Sequence, residues 1–158
     1  MTVQRVRPIG FDANLSPFAF QHYAKDFYAA YTNHKHGPTF SPARFFLLAR
    51  SIELAAKALH VAQGCEPRAL FQMDHDLEAA CEPAVLSAYS VSLSAAEQEE
   101  LRKANRYYEG KGFEYFWFDL PGVPIARAGA QQALSGWPDL PEEALLESLL
   151  QKLLTPRL

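Results

Sequence analysis

Residues 42–62 constrain this chain more than any other stretch. They have the spacing of one long helix that is apolar on nearly every side, yet beyond Arg44 in the first turn they carry four ionisable groups. Phe45, Leu48, Ile52, Ala55, Ala56 and Leu59 form one broad stripe, while Leu47, Leu54 and Val61 are apolar on a different side. A helix that is apolar nearly all round is a buried one. Its ends are punctuated: Ser41 caps, Pro42 occupies the first turn, and Gly64 lies just past the end. At ~1.5 Å per residue the helix is about 30 Å long, enough to be the axis of a bundle. Arg50, Glu53, Lys57 and His60 are spaced three, four and three apart, which confines them to an arc of about 80° at ~100° per residue. Glu53 and Lys57 are an i,i+4 pair in the favourable orientation. Inside a bundle each charge of this seam needs a partner, because an unpaired buried charge is very costly. Two readings follow. The seam ties helices together, or it lines a groove for an anionic ligand with Arg50 and Lys57 as contacts.

The rest of the chain supplies partners for such an axis. Residues 1–15 read as an irregular arm. Ser16 and Pro17 start a first helix, whose Phe20, Tyr23, Ala24, Phe27 and Tyr31 share an inward face, and Asn33 to Pro38 ends it. Residues 65–74 form a connection, with a short turn begun by Pro67. Asp74 caps a third helix that runs to Glu82 and stops at Pro83, and residues 84–93 are a loop or a ragged extension. Ser94 and Glu97 make a capping box for a fourth helix ending near Gly110. The aromatic run 113–118 reads as a short strand or as a lid across the bundle. Pro124 starts a fifth helix to about Leu134. Asp139 and Pro141 start a last one, with Leu145, Leu146, Leu149, Leu150, Leu153 and Leu154 on one stripe. The whole is a single all-α domain, an antiparallel helical bundle of about five to six helices with short loops. Its core spans about residues 16–110, with 111–158 as a C-terminal extension.

Charge and cysteine usage narrow the function. The net charge of -3 provides no global basic field for nucleic acid, although a local patch is open to the 15 lysines and arginines. Cys65 and Cys81 form no Cys-x-x-Cys pair, which fits a reducing compartment. No apolar run approaches the ~20 residues of a membrane span and no signal-peptide core precedes residue 15, so a cytoplasmic protein is expected.

The chain holds few chemical motifs. His75-Asp76 fits an oriented imidazole for acid–base work, or a helix start whose aspartate satisfies backbone donors. Either way, His75 or Asp76 is expected to meet the Glu53–Lys57 part of the seam. His34-x-His36 has strand-pair spacing but sits in a Gly-Pro loop without a third ligand, so no metal is expected. No Gly-rich phosphate loop and no Gly-x-Ser-x-Gly elbow occurs, and no cofactor is implied. Arg102, Lys103, Arg106 and Lys111, interleaved with Tyr107 and Tyr108, form the best basic–aromatic patch for a nucleotide or RNA, diluted by Glu97, Glu99, Glu100 and Glu109.

Ser51-Ile52-Glu53-Leu54-Ala55-Ala56-Lys57-Ala58, followed after a loop by His75-Asp76-Leu77, resembles the HEPN superfamily (higher eukaryotes and prokaryotes nucleotide-binding). Asn105-Arg106-Tyr107-Tyr108 is similar to the Arg-Tyr segment of related bundles, so the resemblance covers about residues 18–110. It implies a bundle of four to five helices, often dimeric, found in toxin–antitoxin, abortive-infection or RNA-processing systems and sometimes paired with a minimal nucleotidyltransferase. Active members carry an Arg, four to six residues, then a His near the start of a late helix, and cleave RNA without metal. Here no histidine follows His75, and Arg102 and Arg106 have no downstream partner. Arg68 and His75 have that spacing but lie in the connection before the third helix. The resemblance therefore implies the fold more than ribonuclease activity. The expected function is a catalytically degenerate binding module for a nucleotide, RNA or a protein partner such as a nucleotidyltransferase or antitoxin. Its candidate ligand residues are Arg50, Glu53, Lys57, His75, Asp76, Arg102, Asn105, Arg106 and Tyr107. A metal-independent ribonuclease using His75 and Arg106 is the first alternative. A structural homodimer joined through the leucines of 140–154 is the second.

Overall fold

The computed structural model describes residues 5–6, 13–35, 41–111, 113 and 139–158. It is an all-α helical bundle. Its elements are β1 (Arg5–Val6), β2 (Ala13–Asn14), α1 (Pro17–Asn33), α2 (Pro42–Ala62), α3 (Pro67–Gln72), α4 (Leu77–Ala80), α5 (Pro83–Ala88), α6 (Ala95–Glu109) and α7 (Glu143–Leu154). Two-residue strands β1 and β2 pair antiparallel, Arg5 opposite Asn14, where the sequence had suggested only an irregular arm.

Helix α2 is the axis. It packs against α1 most extensively and also against α4, α5, α6 and α7. Leu48, Ala49, Ile52, Ala55, Ala56, Ala58 and Leu59 are buried, as the all-round apolar pattern requires. Small side chains let α1 come close: opposite Ala24, the Ser51 hydroxyl donates to the Ala24 carbonyl at 2.6 Å. The helix ends in a Schellman motif. The Gly64 amide donates to the Val61 carbonyl at 2.9 Å and the Cys65 amide to the His60 carbonyl at 3.0 Å. That turn requires the left-handed φ of +85° at Gly64, a conformation glycine adopts without strain.

Two other helix starts follow their side-chain caps, whereas Ser41 stands before α2 without a side-chain cap bond. The Ser16 hydroxyl accepts the Ala19 amide at 3.1 Å. The capping box of α6 is complete: Ser94 Oγ accepts the Glu97 amide at 3.2 Å and Glu97 Oε2 accepts the Ser94 amide at 2.8 Å. Helix α7 places Leu146, Leu149, Leu150 and Leu153 in the core of this one chain. The large exposed hydrophobics among the described residues are Phe18, Tyr23 and Phe71, so the exposed apolar face expected on 140–154 is not found there.

The middle of the chain departs from the reading of its sequence. Asp74 does not cap a helix to Glu82; it has φ 41° and ends the turn after α3. Asp76 is the cap instead, and α4 lasts only one turn because Pro83 forces Glu82 into extended geometry. Residues 83–88 are then helical, not loop, with Pro83 in the first turn and Val85 and Leu86 buried. Helix α7 begins at Glu143 rather than at Asp139, because Glu100 on α6 accepts the Glu142 amide at 2.6 Å and thus supplies the missing cap. The aromatic run and the helix expected at 124–134 lie outside the described residues, apart from Phe113, which is buried against Phe45 and Tyr107. Among the described residues, no helix is long and apolar enough to cross a membrane.

Candidate functional site

The polar seam of α2 closes on itself around Glu53. This carboxylate is 2% exposed and receives four neighbours. Lys57 Nζ lies 2.7 Å from Oε1, and Arg50 Nη1 lies 2.7 Å from Oε2. The Tyr108 hydroxyl, arriving from α6, donates to Oε2 at 2.5 Å. His75 Nδ1 lies 3.3 Å from the same oxygen. Lys57 also donates to the Asp74 carbonyl at 2.5 Å, which pins the turn between α3 and α4 to the central helix. The expected meeting of His75 with the seam is therefore present, and through Glu53.

The electrostatics follow from this arrangement. Burial alone would raise the Glu53 carboxyl, but the charges of Arg50 and then Lys57, with hydrogen bonds from Lys57 and Tyr108, hold it below the usual carboxylate range. Burial opposes the charge on Arg50 as well, and the Glu53 carboxylate outweighs it. Tyr108 is pushed far up, first by burial and then by the adjacent carboxylate, so it stays a neutral donor. His75 Nδ1 stands 3.4 Å from Arg50 Nη1 as well as 3.3 Å from Glu53. Protonated at Nδ1, it donates to Glu53; unprotonated there, it accepts from Arg50.

A cleft of about 270 Å³ opens beside this cluster. Arg50, Lys57 and His75 line its polar side, with Asp74 at the rim. Phe20, Leu54, Leu70 and Phe71 form its apolar walls. Lys57 is only 9% exposed and is held by Glu53 and the Asp74 carbonyl, whereas Arg50 is 29% exposed. Arg50 Nη1 is occupied, but among the described residues its Nε and Nη2 carry no hydrogen bond. The two cations face one buried carboxylate, so the cluster itself carries a surplus positive charge through Arg50, which the Asp74 carboxylate at the rim offsets across the cleft as a whole.

The other candidate residues take different roles. Asp76 Oδ1 caps α4, accepting the Glu78 amide at 2.9 Å and the Ala79 amide at 3.0 Å. Asn105 accepts the Leu77 amide at 2.7 Å and donates to Asp76 Oδ1 at 3.1 Å, so it locks α4 onto α6 beside His75. His60 is buried, its Nε2 2.9 Å from the Ala80 carbonyl. The basic patch of α6 is largely neutralised. Arg102 pairs with Glu99 and Glu78, Lys103 with Glu100 and Asp139, and Arg106 with Asp139 at 3.0 Å. Tyr107 is buried against Phe113 rather than offered to a base. Arg106 does not line the His75 cleft.

Tyr108, expected on the basic patch, is instead the partner of Glu53 on α2. The signal was its position three residues after Asn105 and four after the fully buried Ala104, on the inward face of α6. Phe20 was legible only as part of the inward face of α1 and Phe71 not at all, because the two converge only through tertiary packing. His34 rests 3.2 Å from Ser41 Oγ, and His36 lies outside the described residues. Among the described residues no group of three His, Cys, Asp or Glu side chains is placed to hold a metal. Compared with known proteins, the chain matches no protein-family model, no curated protein and no solved structure.

Proposed function

We propose that this chain is a HEPN-like binding module, catalytically degenerate, whose ligand is a nucleotide held in the cleft beside Arg50 and His75. One observation carries the reading: two cations share a single buried carboxylate at the base of a cleft walled by Phe20 and Phe71. A guanidinium edge suits a phosphate, and aromatic walls suit a base. Some of the residues that carry the HEPN resemblance lie at or beside this cleft, while Arg106 and Tyr107 of the same resemblance lie elsewhere. Glu53, Lys57 and His75 form the cluster, Asp76 caps the adjoining helix, and Ser51 seats α1. Binding rather than cleavage is favoured because Arg106 is paired with Asp139 away from the His75 cleft.

The test is incubation of RNA with the wild type and with His75→Ala in the presence of EDTA, reading cleavage and retention together, alongside titration with adenosine monophosphate (AMP). The reading predicts salt-sensitive binding without cleavage, weakened about tenfold by Arg50→Lys, which keeps the charge but loses the planar fork. Cleavage abolished in His75→Ala would make the protein a metal-independent ribonuclease instead. Absence of any nucleotide or RNA binding would overturn the reading in favour of a protein partner such as a nucleotidyltransferase.

A further inference from the structure

We infer that the cleft beside Arg50 takes one phosphate, so that its ligand class is the nucleoside monophosphates rather than triphosphates or an RNA strand. This rests on the nucleotide reading above and narrows it. Few donors facing the cleft are unspent. Lys57 is committed to Glu53 and the Asp74 carbonyl and is nearly enclosed. Arg50 has spent Nη1 on Glu53, leaving the Nε–Nη2 edge for a ligand. His75 presents Nε2, whose nearest charged neighbour is Asp74 Oδ1 at 3.7 Å. One guanidinium edge and one imidazole nitrogen match the oxygens of a single phosphate.

The rim opposes anything longer. The Asp74 carboxylate, 81% exposed and 3.7 Å from His75 Nε2, already opposes one phosphate at that nitrogen and opposes the greater charge of a di- or triphosphate more strongly. Among the described residues no lysine or arginine besides Arg50 and Lys57 lines this cleft to offset it. The volume agrees: about 270 Å³ falls just under the ~300–1,000 Å³ typical of sites for drug-sized ligands. On the apolar side Phe71, 57% exposed, is the wall available to stack on a base.

Calorimetric titration of the full chain with AMP, ADP, ATP, adenosine and inorganic phosphate tests this, together with a short RNA carrying either a 5′-phosphate or a 5′-hydroxyl. AMP should bind tightest. Adenosine and phosphate alone should each be weaker by about tenfold or more, since each forfeits one half of the site. Phe71→Ala, at an exposed position outside the ionic cluster, should weaken AMP about 5- to 100-fold through lost stacking. Asp74→Asn keeps the backbone carbonyl that holds Lys57, and asparagine tolerates the positive φ. It should raise ATP affinity about two- to fivefold relative to AMP. AMP binding should weaken as ionic strength rises, through screening of its phosphate contact. ATP equal to or tighter than AMP, or RNA binding indifferent to its 5′ group, would overturn the single-phosphate inference while leaving a nucleotide-binding module. No binding by any of these probes would overturn both.

Discussion

Glu53→Gln is the perturbation that reads the central cluster most sharply. The substitution preserves shape but removes the charge that Arg50 and Lys57 share at 2.7 Å each. It also turns one oxygen that accepts hydrogen bonds into an amide that donates them, facing Lys57 on one side or Arg50 and Tyr108 on the other. Breaking a buried pair by removing one partner costs about 3–5 kcal/mol, because the remaining charge is left uncompensated. Lys57 is the one stranded here, since Arg50 can turn toward the cleft. For a chain of this size each kcal/mol lowers Tm by roughly 2–4 °C, so the melting point should fall by about 6–20 °C. Thermal unfolding followed by circular dichroism measures it, with urea titration as a second route to the free energy. Tyr108→Phe serves as the graded comparison: it removes one hydrogen bond to a charged group and should cost about 1.5–3 kcal/mol. A loss below about 1 kcal/mol for Glu53→Gln would mean that the seam behaves as a solvated surface pair, and the account of a buried tie would fail.

Three further outcomes follow from particular residues. Glu53 and Glu97 both hold carboxyls below the usual range, against burial, through Arg50 and Lys57 in one case and Lys152 with Ser94 in the other. Their stabilisation is therefore present above the unfolded value of about pH 4.3 and is lost as pH falls below it through the folded values; urea midpoints across that range should drop, and less steeply in Glu53→Gln. Cys81 is buried and its thiol is pushed up to about 12 by burial and then by Asp76, so a thiol reagent at neutral pH should label Cys65 alone until the protein is denatured. Two thiols labelled at the same rate in the native state would contradict the packing of α4. Ser94→Ala should cost about 1 kcal/mol by removing the cap of α6, and an unchanged urea midpoint would contradict the capping box.

Much of the architecture was legible because it is written locally. Ser16-Pro17, Ser41-Pro42, Gly64 and Ser94 with Glu97 are chemical signals at the sites where the chain must change conformation, and the helices begin and end on them. The apolar circumference of α2 likewise carried its burial in its own sequence. The misread regions depend on partners distant in sequence. Asp74 and Asp76 are equally good caps on paper. Asp76 is selected because Asn105 donates to it and Lys57 holds the Asp74 carbonyl. The start of α7 was misplaced because Glu100, on another helix, supplies its cap. For the site, three- and four-residue spacing brought Arg50, Glu53 and Lys57 together, and His75 was expected nearby. The neutralisation of Arg102, Lys103 and Arg106 was half visible in the neighbouring glutamates. Asp139, which pairs with two of them, lies more than thirty residues away.

The most direct test of the account is to map where AMP binds by titrating isotope-labelled protein and following the backbone amides and arginine Nε signals. The account predicts saturable shifts at Arg50, Phe71 and His75, with Arg102 and Arg106 on α6 unmoved. Shifts confined to α6, with residues 50, 71 and 75 silent, would contradict it and place the ligand on the basic face instead.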